Sequence, residues 1–264
     1  MPAIILTRPI GQSHRLSELL SERAPQLLQV QLPLLSIVPS EDPQELARLK
    51  SLIQEVDLVV FVSPNAIECG LRAWGAQWPT RLPVAVVGGG SLETLNNHGI
   101  SHSQGYQIIY PKNPAEWDSE GLWASLNQWQ TDWKNKKILF VKGSGGREWL
   151  GEQFLLQGAQ INAVCTYRRL PLPGSAPAWQ AVKQLNPQET ACVMTSSEAL
   201  QHFAQTLHQD STFSPDWFNL ATMICSHPRI AQAAHEAGFK QVELCEAGDK
   251  NIVRASQAWL AKHQ

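Results

Sequence analysis

The hydrophobic positions of this chain gather in short runs, AIIL at 3–6, VVFV at 59–62, VAVV at 84–87, ILFV at 138–141 and ACVM at 191–194. Between the runs, Leu and Ile recur at helical spacing: Leu16, Leu19 and Leu20 share one face, and Leu46, Leu49 and Ile53 another. Near-continuous apolar strands are those a sheet covers on both faces, and strands alternating with amphipathic helices build parallel sheets from βα units. The pattern predicts an α/β protein with strands over 3–6, 27–38, 57–62, 84–87, 107–110, 138–141, 161–167, 191–194, 220–225 and 241–245.

Two extended segments break the rhythm. Residues 27–38 are about twice an ordinary strand and are interrupted by Pro33, and 161–172 is similarly long and runs into Pro171 and Pro173. If each is a crossing between domains, residues 39–165 form one α/β domain inserted into another made of 1–32 and 173–264, with 33–38 and 166–172 as connecting segments. Each half then has an ordinary domain size.

Composition narrows the class. With 264 residues, 43% of them hydrophobic, the chain can bury proper cores without disulfides. No apolar run approaches the ~20 residues of a membrane helix, and a net charge of -2 offers no basic field to nucleic acid, so neither partner is expected. The start, Met1-Pro2-Ala3 followed by IILTRP, reads as a first strand rather than a leader, which makes the cytoplasm the expected compartment. Five scattered cysteines, mostly inside strand-like runs, read as reduced core thiols, and Cys225 with His227 lacks the partners of a metal site. Four of the ten tryptophans fall in 117–133, where helix packing with a partly exposed surface is the reading preferred to an aromatic platform.

The chemistry lies in the turns at the strand ends. TRP (7–9), SPNA (63–66), GGGS (88–91), KGSGGRE (142–148), TSSE (195–198) and SHPR (226–229) are six small, polar turns, each leading into a helix. A helix N-terminus carries unsatisfied N–H groups and partial positive charge, and glycine lets an anion approach them. In parallel sheets such turns collect at the carboxyl ends of the strands. Plain helix capping by Ser, Thr and Asn explains any one of them equally well. As a set they make candidate receptors of Arg8, Ser63, Asn65, Gly89, Gly90, Ser91, Ser144, Gly145, Gly146, Ser196, Ser197 and Ser226.

Nucleotide readings fail on the letters. The sixth place of G-x-G-x-x-G is Glu148, and a P-loop needs Gly-Lys where this chain has Glu148-Trp149. What remains is a cradle for carboxylates. No G-x-S-x-G elbow or other nucleophilic triad is present. Tyr167, in VCTYRRL beside Arg168 and Arg169, falls at the end of a crossing, where an inter-domain cleft is expected; it donates a proton there, or only packs.

These residues resemble the uroporphyrinogen-III synthase family over nearly the whole chain. The strongest match is KGSGGREWLGEQFLLQGAQINAVCTYRR, supported by ILTRP, VVFVSPNAI, VAVVGGGSLETL, YPKNPAEWDSEGL, VMTSSEAL and HPRIAQAAHEAGF. The resemblance implies two flavodoxin-like, parallel-sheet α/β domains, one discontinuous, joined by a two-stranded linker with the active site between them. It also implies a monomer without cofactor or metal that cyclises hydroxymethylbilane to uroporphyrinogen III, losing water and inverting ring D. The preceding pathway enzyme is a further, transient partner to expect. By match, Tyr167 is the family's tyrosine and the candidate for assisting the leaving hydroxyl. Ser63, Gly89, Gly90 and Ser196 fall on substrate-facing turns, and Ser91 stands where the family commonly has Thr. SHPRI departs from the family's Gly and Thr pattern, which weakens Ser226 and Arg229. Arg8 and Arg168 are candidates for pairing substrate carboxylates, and Arg147 is equally read as a surface helix residue. The competing reading is a two-domain module that closes on a small carboxylate without chemistry.

Overall fold

The computed structural model describes residues 1–263. In chain order the elements are β1 (Ala3–Leu6), α1 (Ile10–Arg23), β2 (Leu28–Gln31), β3 (Leu35–Pro39), α2 (Pro43–Leu52), β4 (Leu58–Phe61), α3 (Pro64–Trp74), β5 (Val84–Val86) and α4 (Gly89–Asn97). They continue with β6 (Ile108–Ile109), α5 (Ser119–Trp129), β7 (Lys137–Gly143), α6 (Trp149–Leu156), β8 (Gln160–Pro171), α7 (Ala178–Lys183) and β9 (Thr190–Met194). The last are α8 (Ser197–Gln209), α9 (Asp216–Leu220), β10 (Thr222–Cys225), α10 (Pro228–Glu236), β11 (Gln241–Leu244) and α11 (Asp249–Ala261).

The chain divides into two compact units, one of residues 1–36 with the segment from Leu170 onward, the other Ile37–Arg169. The first holds a five-stranded parallel sheet in the order β11-β10-β9-β1-β2. This is the doubly wound order 2-1-3-4-5 of flavodoxin-like sheets. The second holds β3-β8-β7-β4-β5-β6, in which β4 to β8 are parallel in the order 3-2-1-4-5. Strand β3 joins its edge antiparallel to β8: Ser40 N–H donates to the Thr166 carbonyl and, further along, Leu172 N–H to that of Leu34, both at 2.8 Å. The chain passes between the units in these two strands.

Alternation along the strands builds two cores per sheet. Ile5, Cys192 and Met223 point into one face of the first sheet, while Ile4, Leu6, Ala191, Val193 and Ile224 point into the other. In the second, Val59 and Phe61 face one core, Leu58 and Val60 the other. The apolar run expected as a strand over 220–225 is shorter than the letters suggest, because Leu220 closes α9 and the strand begins only at Thr222. Pro33 does split 27–38, and the halves enter different sheets. Cys69 lies on helix α3 rather than on a strand.

Candidate functional site

Because the strands of each βα set run the same way, their C-terminal turns line one edge of each sheet. The turns after β1, β9 and β10 line that edge of the first unit, and those after β4, β5 and β7 line it in the second.

In the first unit, Thr7 is buried and its hydroxyl donates to the Val193 carbonyl (2.6 Å), tying β1 to β9 where the strand order reverses. Arg8 Nη1 lies 2.6 Å from Asp249 Oδ1, both partly buried, so a substrate carboxylate has to compete with Asp249 for it. Ser196 caps α8 by accepting the Ala199 N–H (3.3 Å), with Ser197 as the first helical residue. The α10 cap is His227, whose Nδ1 accepts the Arg229 N–H (3.1 Å), while Ser226 donates its own N–H to the Met194 carbonyl. Next to these turns, burial pushes the Cys225 thiol up to about 12.

In the second unit, Ser63 caps α3, its Oγ accepting the Ala66 N–H at 3.1 Å, and Pro64 and Asn65 follow in the first turn. Helix α4 starts from Gly88 without a side-chain cap, and Gly89, Gly90 and Ser91 form its first turn. A Cβ at Gly89 would run into the six-membered ring of Trp117, so the room glycine leaves there is filled by an indole; Gly90 has only Pro64 near it. After β7 the chain passes through Ser144, Gly145 (φ +72) and Gly146 (φ +104), left-handed backbone that favours glycine, before α6 begins at Trp149. Arg147 forms a two-pronged ion pair with Glu120 at 3.0 and 2.5 Å, anchoring this loop to α5. Ser144 and Arg168 come together in a hollow of about 370 Å³ that they share with Cys165 and the acids Glu41, Asp42 and Glu45.

Tyr167 is 1% exposed. Its hydroxyl lies 3.0 Å from Ser63 Oγ and receives an N–H of Arg169 at 3.5 Å. A bulge between Lys142 and Gly143 sets Tyr167, rather than Thr166, opposite Gly143. Two residues here carry no distinct mark in the sequence. Gly143 was legible only as part of a glycine-rich run, and Trp117 only as one tryptophan among four. Among the described residues no group of three or more His, Cys, Asp and Glu is placed to hold a metal ion, and no helix is long and apolar enough to cross a membrane.

A family model described as "Uroporphyrinogen-III synthase HemD" matches residues 15–249. The chain belongs to the uroporphyrinogen-III synthase family. It is 27% identical over 263 residues to the uroporphyrinogen-III synthase of Escherichia coli K12 and 28% over 261 residues to that of Salmonella typhimurium LT2, covering 97% of this chain and 100% of the relative in both cases. Solved uroporphyrinogen-III synthases share its fold: a triply substituted Thermus thermophilus protein (TM-score 0.62, 13% identity, 99% of this chain and 100% of that one) and the Helicobacter pylori 26695 protein (0.60, 13%, 98% and 100%). Membership makes the chain an enzyme of porphyrin biosynthesis, a lyase-type cyclase acting on a linear tetrapyrrole.

Proposed function

We propose that the chain converts hydroxymethylbilane to uroporphyrinogen III and water mainly by fixing the substrate's conformation. The substrate's electron-rich pyrroles close unaided to the uninverted isomer, so the enzyme has to select which carbon of ring D is attacked. Loss of water from the ring A hydroxymethyl group gives an azafulvene, ring D attacks through its substituted carbon to form a spiro intermediate, and fragmentation with reclosure inverts the ring. Holding a flexible chain in the required shape is an orientation effect.

The substrate's carboxylates are the handles. In this reading their receptors are the amides of Gly90, Gly145 and Gly146 and the hydroxyls of Ser91 and Ser144 in the second unit, with Arg168 as a cation beside Ser144. The α8 N-terminus at Ser196 and Ser197 offers the same chemistry in the first unit, to which Ser226, its N–H taken by the Met194 carbonyl, adds only a hydroxyl. The observation that carries the reading is the Tyr167–Ser63 hydroxyl contact at the end of β4, the strand where the order of the second sheet reverses. A monomer in the cytoplasm belongs to the same proposal and fits five free cysteines.

Incubation with freshly prepared hydroxymethylbilane and separation of the isomers tests it. Type III above the spontaneous background is the expected result. Type I alone would leave a binding module.

A further inference from the structure

We infer that Ser63 is the hydroxyl that delivers a proton to the leaving group, and that Tyr167, seated over Gly143, supplies it from behind. The inference deepens the synthase reading and rests on it.

Burial makes the first half of the case. Tyr167 is 1% exposed, which leaves its ring little access to a substrate, whereas Ser63 is only half-buried. A serine hydroxyl has two lone pairs and one hydrogen. The Ala66 N–H fills one lone pair of Ser63 Oγ at 3.1 Å, and the relay takes Tyr167 as the donor in the 3.0 Å contact between the two hydroxyls, so that its O–H fills the other. With both lone pairs of Ser63 used in this way, its own hydrogen is the one left for a substrate. Behind it, an N–H of the Arg169 guanidinium lies 3.5 Å from the Tyr167 oxygen.

Gly143 makes the second half. Tyr167 belongs to β8 and Ser63 follows β4, with β7 between them, so the ring has to span roughly 10 Å of sheet, two strand spacings. It does so by crossing over β7 at the one position without a side chain. A Cβ at Gly143 would lie 2.6 Å from Tyr167 Cζ and 3.0 Å from its hydroxyl oxygen. The bulge that sets Tyr167 opposite Gly143 aims the ring across this gap.

In the relay the bond from the ring A methylene carbon to its hydroxyl oxygen breaks, and the Ser63 proton goes to that oxygen, which leaves as water. Tyr167 reprotonates Ser63 and is held as phenolate beside Arg169. When the macrocycle closes, the unsubstituted α-carbon of ring D gives up its proton, which restores Tyr167.

Steady-state kinetics with hydroxymethylbilane test the relay. Tyr167→Phe is expected to lower kcat about 10²-fold, the lower end for a positioned acid, with KM unchanged. Ser63→Ala is expected to cost at least as much, and the double variant no more than Ser63→Ala alone. Ser63→Thr keeps the hydroxyl and should restore the rate. Ser63→Asn keeps a helix cap without the hydroxyl and should stay slow, which separates the relay from capping. Gly143→Ala should match Tyr167→Phe and add nothing in the Tyr167→Phe background. If Gly143→Ala does not fold, Gly143→Ala with Tyr167→Ala opens the room and should fold; failure there overturns the role of Gly143. Losses that multiply across Ser63 and Tyr167, or a fast Ser63→Ala, overturn the relay. A wild-type chain that makes no type III overturns the synthase reading instead.

Discussion

Trp117 lies across the backbone of Gly88 and Gly89, and its indole N–H donates to the Pro111 carbonyl at 3.2 Å, holding the loop before α5 onto the start of α4. The glycines that read as an anion's approach are, at 88 and 89, the floor of a tryptophan site. Gly89→Ala is therefore expected to destabilise the protein by about 1–3 kcal/mol through overpacking, and less so in a Trp117→Ala background. Thermal unfolding of the two single variants and the double variant checks this; equal costs in both backgrounds would contradict it.

At Gly145 the expectation is different. No atom stands within 4 Å of the place a Cβ would take there, but φ is +72, so Gly145→Val strains backbone rather than packing. A loss of roughly 1–2 kcal/mol in stability is expected from the left-handed conformation. If the loop amides hold a carboxylate, KM rises while kcat stays near the wild-type value. Unchanged KM in a folded variant would reduce the loop to a connection into α6.

The cysteines should be dispensable for chemistry. Cys69, Cys192 and Cys225 are buried, Cys165 and Cys245 half-buried, and all five are free thiols. Replacing them with Ala or Ser as packing permits should leave type III formation intact. Burial raises the Cys192 thiol strongly and carries Cys225 to about 12. In the unfolded chain a thiol ionises near ~8.5, so the folded protein holds these protons more tightly. Their contribution is full below that pH and is lost as the pH rises toward the folded value. Melting temperatures at pH 7 and 10 should show an alkaline drop that shrinks in Cys192→Ala and Cys225→Ala.

Much of this architecture was legible because burial on both faces leaves an unambiguous mark. The run 3–6 is a central strand whose four residues are all buried, and its boundaries match the letters. Pro33 announced a break for the reason proline always does, a missing donor. Leu220 misled because α9 is five residues long, has no side-chain cap, and runs directly into the apolar residues of β10. The helix caps Ser63 and Ser196 were legible, because capping is a local property. Gly143 and Trp117 were not, since their partners Tyr167 and Gly89 are 24 and 28 residues away and only the fold joins them. Nothing in VCTYRRL marks the bulge that sets Tyr167 opposite Gly143.

If selectivity comes from holding the substrate and speed from the Tyr167 hydroxyl, the two separate in one variant. Tyr167→Phe keeps the buried ring and removes only the atom 3.0 Å from Ser63 Oγ. The deciding measurement is rate and isomer ratio on the same Tyr167→Phe sample, with wild type alongside. Turnover about 10²-fold lower, with product still mostly type III, is the predicted result. Wild-type turnover would remove the acid role, and a switch to type I would show that Tyr167 steers conformation instead.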